Sequence, residues 1–228
     1  MAPVNNDLMS SSLNFYALVS GPVPSLFEED DEYSPADTVP LSVVDLGVLR
    51  VPSGRVEACD PFVTLGDGPV FDVEPGDYPV RVTVADVEAY LSLVLADGEP
   101  ASVEAAQPVR GRGIVCVDAG AVAFVDHDAV ATAMPPQDDW YDVFDSGEPD
   151  SWFSLMDSPD HYRRGAANIV MPRAGAGENV VLSYSGWGDG VYPVMLTRDA
   201  DGAPLGLHID LGVVGEFASE DEEDDEDE

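Results

Sequence analysis

Four aspartates stand at predicted turns or strand ends, where a carboxylate can reach either a ligand or the backbone. They are Asp60, Asp118, Asp126 and Asp189. If the strands that precede Asp60 and Asp118 neighbour the loop that carries Asp189, three carboxylates converge. Such a cluster could hold Ca²⁺ or Mg²⁺ through oxygen ligands, or act as an acid–base pair whose pKa values repulsion separates. The alternative is structural, because Asp beside Gly or Pro commonly accepts hydrogen bonds from nearby backbone N–H groups and fastens a turn.

The loop from Ser185 to Gly190 is the second candidate site, and it reads Ser-Gly-Trp-Gly-Asp-Gly. Its glycines allow positive φ and a close approach of the backbone to a ligand. The indole of the loop tryptophan offers a flat face for stacking. The alternative is a tight turn whose tryptophan packs on the core. The residues predicted to bind a ligand are Gly186, Trp187, Gly188, Asp189, Gly190 and Tyr192.

Several common catalytic and cofactor motifs are excluded. Ser183 occupies the position where a G-x-S-x-G nucleophile elbow needs glycine, and the chain has no lysine for a phosphate-binding loop. The three histidines lack zinc spacing, and Cys59 and Cys116 form no C-x-x-C pair. We therefore predict no cofactor other than a possible Ca²⁺ or Mg²⁺. The two cysteines are expected to be buried free thiols, with a mutual disulfide as the alternative.

The charge is the most unusual property of the composition. The 228 residues contain 45 acids against nine bases, all arginine, for a net charge of −36. Five acids lie at Glu28–Glu32 and nine at 220–228, yet the remainder still has 31 acids against nine arginines. A surface of this kind is typical of adaptation to high salt, where the Debye length shrinks to about 3 Å and repulsion is screened. The alternatives are mimicry of nucleic acid and acidity without a special role, and in each case direct binding to DNA, RNA or an anionic membrane is disfavoured.

The elements that must position these residues are predicted to be mainly β. Short Val-rich runs separated by Gly, Pro and Asp turns indicate an antiparallel sandwich or a partly open barrel. We expect an N-terminal arm and acidic linker over 1–40, one β-rich domain over 41–218 and a disordered acidic tail over 219–228. The segment 137–173 is predicted to be an aromatic and acidic insertion with one or two short helices. Its aromatic side chains form either a partner surface or the insertion's own small core.

The chain contains no apolar run of about 20 residues and no basic signal-peptide region, so we expect a soluble, cytoplasmic protein.

Four segments together resemble a known bacterial family. They are Val51–Phe62 with Ala-Cys-Asp-Pro-Phe, Pro75–Val80, Val117–Gly120 with Phe124 and Asp126, and Ser185–Val194 with Ser-Gly-Trp-Gly-Asp-Gly-Val-Tyr-Pro-Val. Their order and spacing over 41–214 are similar to domain-of-unknown-function family 4241. The resemblance implies no assigned activity. It implies an accessory or immunity-type role for some members.

Three functions are compatible with these observations. The favoured hypothesis is a non-enzymatic binding or interaction domain with another protein as partner. The second is a metal-assisted hydrolase that uses Asp60, Asp118 and Asp189. The third is an acidic mimic of nucleic acid that occupies a cationic partner.

Overall fold

The computed structural model describes residues 13–25 and 38–215. The acidic run at Glu28–Glu32 and the predicted disordered tail at 219–228 lie outside the described residues. Thirteen strands are found in this part of the chain: β1 Gly21–Pro24, β2 Thr38–Val51, β3 Arg55–Cys59, β4 Val70–Asp72, β5 Gly76–Val84, β6 Glu88–Val94, β7 Ser102–Ala105, β8 Ile114–Val117, β9 Ala121–Asp126, β10 Ala166–Val170, β11 Asn179–Tyr184, β12 Gly190–Arg198 and β13 Pro204–Asp210.

The strands form two antiparallel sheets. The larger sheet has the order β1-β2-β5-β6-β13-β12-β7, and β8 also pairs with β12. The smaller sheet has the order β10-β11-β9-β3-β4. At the centre of the larger sheet β6 pairs with β13, with Leu91 opposite Ile209. The prediction of a mainly β fold with antiparallel sheets is therefore confirmed, and one of the sheets is a half-barrel.

The main core lies between the two sheets. Val80 and Val82 of β5 alternate toward it, as the sequence predicts, and meet Val122 and Phe124 of β9 in the same buried cluster. The other side of β5 is not solvent-exposed throughout, because Thr83 is also buried. Its hydroxyl oxygen accepts a hydrogen bond from the backbone N–H of Leu18 at 2.9 Å. Half-buried alternation thus gives way to full burial where the N-terminal segment crosses the sheet.

Residues 13–25, which the sequence places in the N-terminal arm, contact this core. Phe15 and Tyr16 are buried, and the ring of Phe15 meets that of Tyr90 edge to face at 5.0 Å between centroids. β1 continues the edge of the larger sheet by pairing with β2. The segment therefore covers a face of the larger sheet.

Short helices cover the second face of the smaller sheet. They are α1 His127–Ala133, a 3₁₀ turn Gln137–Asp139, α2 Trp140–Phe144 and α3 Trp152–Asp157. Asp126 caps α1 by accepting hydrogen bonds from two N–H groups, and the Ser151 hydroxyl caps α3, as Asp and Ser commonly do at helix N-termini. Ala123 and Val125 of β9 face these helices in a second core cluster. Because both faces of β9 are covered, all six of its residues are buried.

The segment 137–173 contains the predicted short helices and also β10, a strand that the sequence reading missed. Most of its aromatic side chains form a core. Trp152 and Phe144 are buried and their ring centroids lie 5.0 Å apart. Phe62, from outside the segment, stacks on Phe153 at 4.5 Å. Three aromatic side chains of the segment are exposed: Tyr141 at 68%, Tyr162 at 41% and Phe153 at 39%.

Candidate functional site

Asp60 lies immediately after β3 and is fully buried. Its Oδ1 accepts a hydrogen bond from the N–H of Phe62 at 2.9 Å. Its Oδ2 accepts from the N–H groups of Asp118 and Ala119 at 2.9 and 2.8 Å. Three backbone donors thus occupy the carboxylate, which joins the end of β3 to the turn between β8 and β9.

Asp189 reaches the same turn from the 185–190 loop. Its Oδ1 accepts a hydrogen bond from the N–H of Gly120 at 3.1 Å, while the residue itself is exposed. The side chains of Asp60 and Asp189 thus both accept hydrogen bonds from the backbone of the 118–120 turn. Asp118 contributes its backbone N–H to this arrangement, and the residue lies exposed at the surface.

The contacts of Asp60 and Asp126 are those of the structural alternative, in which an aspartate accepts hydrogen bonds from backbone N–H groups. Within residues 13–25 and 38–215 no three side chains of His, Cys, Asp or Glu form a group that could hold a metal ion. The buried carboxylate of Asp60 already accepts bonds from backbone N–H groups. Asp126 is similarly occupied, because it accepts from the backbone N–H and the hydroxyl of Ser53 as well as capping α1. Asp60 and Asp126 fasten turns, and no group of side chains in the described residues supports the metal-assisted hydrolase hypothesis.

The 185–190 loop joins β11 to β12 and is held in one conformation by its own residues. The Ser185 hydroxyl donates a hydrogen bond to the carbonyl oxygen of Gly188 at 2.6 Å, and the Tyr192 hydroxyl donates to the same oxygen at 2.8 Å. Gly186 has φ +69°, and a Cβ at this position would lie 2.3 Å from the carbonyl oxygen of Glu88. Only glycine fits there, since a side chain would collide with backbone.

Trp187 projects from this loop with 59% of its surface exposed. Its indole Nε1–H donates to the carbonyl oxygen of Gly212 at 3.1 Å, which directs the ring across the loop. The alternative that this tryptophan packs on the core is therefore wrong. Of the other residues predicted to bind a ligand, Asp189 is exposed, while Gly186, Gly188 and Gly190 are partly buried. Tyr192 is buried and supports the loop from below.

The surroundings of Trp187 combine apolar and acidic surface. Val191, on the same hairpin, is 55% exposed and pairs with the exposed Cys116 of β8. The carboxylate of Asp189 lies two residues beyond the tryptophan, and Asp118 is in the turn that this carboxylate holds. A rigid indole with an acidic border can bind another molecule.

A series of hydrogen-bonded polar side chains, which we did not predict from the sequence, lies beside α1. Glu57 is fully buried in β3, and its Oε1 accepts hydrogen bonds from the N–H groups of Gly66 and Gly68 at 2.7 and 3.1 Å. Its Oε2 lies 2.6 Å from Nδ1 of His127, whose Nε2 lies 2.9 Å from Nη1 of Arg110. Burial raises the pKa of Glu57 above its ordinary value.

The arrangement borders an open cleft of about 610 Å³. Both nitrogens of His127 already have partners, so the imidazole secures the 66–68 turn against β3. One signal was available in the sequence: Glu57 interrupts the apolar run of a strand, and a charge at such a position requires a partner.

The two cysteines are free, as expected, but only one is buried. Cys59 is fully buried, and burial raises the pKa of its thiol. Cys116 is exposed, which corrects the expectation of two buried thiols. The side chains at 116 and 118 lie on one exposed side of the chain near the end of β8, because alternate residues of a strand share a face.

Comparisons with known proteins give a family and no activity. No curated protein and no solved structure matches the chain. No helix in the described part of the chain is both long and apolar enough to cross a membrane. Residues 49–209, from the last three residues of β2 almost to the end of β13, match the family described as "Protein of unknown function (DUF4241)". This stretch includes both sheets' central strands, the Asp60 turn and the Trp187 loop, and the chain belongs to the DUF4241 family.

Proposed function

We propose that this chain is a non-enzymatic protein-binding domain whose contact surface is centred on Trp187. The observation that carries the proposal is the exposure of 59% of this side chain on a loop that hydrogen bonds hold in one conformation. An exposed tryptophan that is already ordered supplies large contact area at little entropic cost. Such residues commonly dominate the binding energy of protein interfaces.

The partner is a protein with a recess for the indole and a basic border. Asp189 lies in the loop, Asp118 lies in the turn that Asp189 contacts, and the whole chain carries a net charge of −36. Complementary charge accelerates association and excludes acidic proteins, while Trp187, once buried in the partner's recess, supplies the affinity. The accessory or immunity-like role that the family resemblance implies is the setting we propose, in the cytoplasm and with a salt-adapted acidic surface.

The experiment compares three immobilised forms of the full chain in a lysate of the source cells at native salt. They are the wild type, Trp187→Ala and the matched control Tyr141→Ala, which removes an exposed aromatic ring from α2. We expect one basic protein to be retained stoichiometrically by the wild type and by Tyr141→Ala. Its affinity for Trp187→Ala, measured with the purified partner, should fall by about 30-fold or more, as for a hot-spot residue.

Two results would contradict the proposal. If Tyr141→Ala loses the partner and Trp187→Ala keeps it, the interface lies on the 137–173 segment. If a nucleic-acid-binding protein is retained equally by all three forms, and is released by salt alone, the chain acts as a charge mimic. Thermal melts of both variants establish that they are folded, since each substitution removes a largely exposed side chain.

A further inference from the structure

A cavity of about 530 Å³ opens between the two sheets, on the side where β4 faces β12 and β13. Its lining residues on β12, Leu196 and Arg198, lie at the opposite end of that strand from the Trp187 loop. Its wall combines buried core residues with partly buried ones at the mouth. The lining includes Phe71, Tyr78, Leu95, Ala106, Leu196 and Leu207. Cavities of this size with an apolar lining and a few polar groups are the usual binding sites for small organic molecules.

The floor of the cavity belongs to the core. Phe71, Ala106 and Leu207 are each at most 3% exposed, so their side chains are fixed by packing on both sheets. Tyr78 and Leu196 are only partly buried and pack against the same cluster. A ligand's apolar body would thus meet a preformed surface and would need little rearrangement of the protein.

The mouth carries an excess of negative charge. Glu104 and Arg198 neutralise each other, with Oε1 and Nε 2.7 Å apart. Asp72 and Glu74 also line the cavity, and no arginine in the described part of the chain lies within salt-bridge distance of either. The Tyr78 ring stands beside them, and its pKa is raised by burial and by the nearby Glu74 carboxylate. Two unpaired carboxylates beside an aromatic ring favour a cation.

We propose that this cavity binds a small organic molecule with an apolar body and one cationic group. The body occupies the space lined by Phe71, Leu196 and Leu207, and the cation lies at the mouth between Asp72, Glu74 and the Tyr78 ring. The site is separate from the Trp187 surface, so it adds a ligand to the proposed protein-binding function and does not depend on it.

The test uses three probes with one carbon skeleton and different charge: phenylbutylamine, phenylbutanol and phenylbutyrate. Isothermal titration calorimetry on the full chain at neutral pH and fixed ionic strength gives the affinity of each. We expect the amine to bind most tightly, the alcohol more weakly and the carboxylate weakest. Equal affinity for the amine and the carboxylate, or no heat from any probe at millimolar concentration, would overturn the proposal.

Two variants test whether the probes bind in this cavity. Leu196→Trp fills the cavity from a partly buried position and should abolish binding of both the amine and the alcohol. The double variant Asp72→Asn/Glu74→Gln should weaken the amine by about three- to tenfold and leave the alcohol unchanged, as expected for two solvent-exposed carboxylates. Neither of these two side chains makes an ion pair within the described residues, so the double variant should fold.

The matched control removes the same charge elsewhere. Asp138→Asn/Asp139→Asn lies on the exposed 3₁₀ turn and should leave the affinity for the amine within twofold of the wild type. If both double variants weaken the amine equally, the attraction comes from the net charge of the chain and the proposed site is wrong. If Leu196→Trp proves unfolded in a thermal melt, Val109→Trp at the exposed rim takes its place as the variant that obstructs the cavity. If a folded variant of this kind binds the amine as the wild type does, the proposed site is wrong.

Discussion

Replacing Asp60 separates a structural role for this residue from a catalytic one. Its carboxylate accepts three backbone hydrogen bonds, from Phe62, Asp118 and Ala119. An asparagine retains one acceptor oxygen and presents an NH₂ group where the second oxygen stood. At least one N–H group then faces a donor, and the remaining bonds lose the advantage of a charged acceptor.

The magnitude follows from the exposure of the donors. A hydrogen bond to a charged group contributes about 1.5–3 kcal/mol when its loss leaves the donor unsatisfied. Asp118 and Ala119 are exposed, so water can replace their acceptor, and the lower end of the range applies. We expect Asp60→Asn to lower the free energy of unfolding by about 2 kcal/mol and Asp60→Ala by about 3 kcal/mol.

The assay is urea unfolding followed by tryptophan fluorescence at fixed pH and salt, with Asp118→Asn as the matched control. The control removes a carboxylate from the surface of the same turn, so its effect should stay within about 0.5 kcal/mol. A loss below that limit for Asp60→Ala would refute the fastening role. A catalytic residue would show the opposite behaviour, because replacing one commonly leaves stability unchanged or raised.

Three further predictions concern the loop backbone, pH and salt. Gly186→Ala should cost about 2 kcal/mol more in urea unfolding than Gly188→Ala, since both have positive φ but only the first Cβ collides with backbone, 2.3 Å from an oxygen. If the two substitutions lower the free energy of unfolding equally, the positive φ accounts for the whole cost and the collision at Gly186 does not. Burial raises the pKa of Asp210 from 3.8 to about 7, so the folded chain keeps a proton that the unfolded chain has released. The free energy of unfolding should therefore fall by up to about 4 kcal/mol as pH rises from about 4 to 7. In Asp210→Asn the free energy of unfolding, measured between pH 5 and 8, should depend less steeply on pH. An identical pH dependence in the wild type and the variant would mean that the Asp210 carboxyl does not cause it. The melting temperature should rise between 0.1 and 2 M KCl by more than the roughly 4 °C that corresponds to 1 kcal/mol, because salt screens the net charge of −36. A flat salt response would contradict salt adaptation.

The fold class was predictable because local patterns agree with the tertiary structure in most strands. Val80 and Val82 alternate as a strand with one buried face, and Asp126 and Ser151 cap helices where their residue types suggest. The exceptions arise from contacts distant in sequence. Thr83 is buried because residues near Leu18 cross the sheet, and no local pattern carries that information.

The candidate site was predictable in position and unpredictable in chemistry. Asp60 and Asp189 contact one turn because the strands that precede them, β3 and β11, flank β9 in the smaller sheet and end at the same edge. What a carboxylate binds depends on which donors face it, and here the donors are backbone N–H groups. The exposure of Trp187 depends likewise on the position of Gly212, 25 residues away. Glu57 and His127 are 70 residues apart in sequence and lie in contact in the fold. A charge within a strand indicates that Glu57 needs a partner, but no local pattern indicates which residue supplies it.

The pairing of β6 with β13 has a consequence for how the chain folds. Leu91 must meet Ile209 before the centre of the larger sheet exists, so this ladder cannot form on the ribosome until almost the whole described chain has emerged. Until then β6 presents an unpaired edge and an uncovered apolar face. Nascent chains are therefore most prone to associate with one another late in synthesis, and dense negative charge gives them mutual repulsion during that interval.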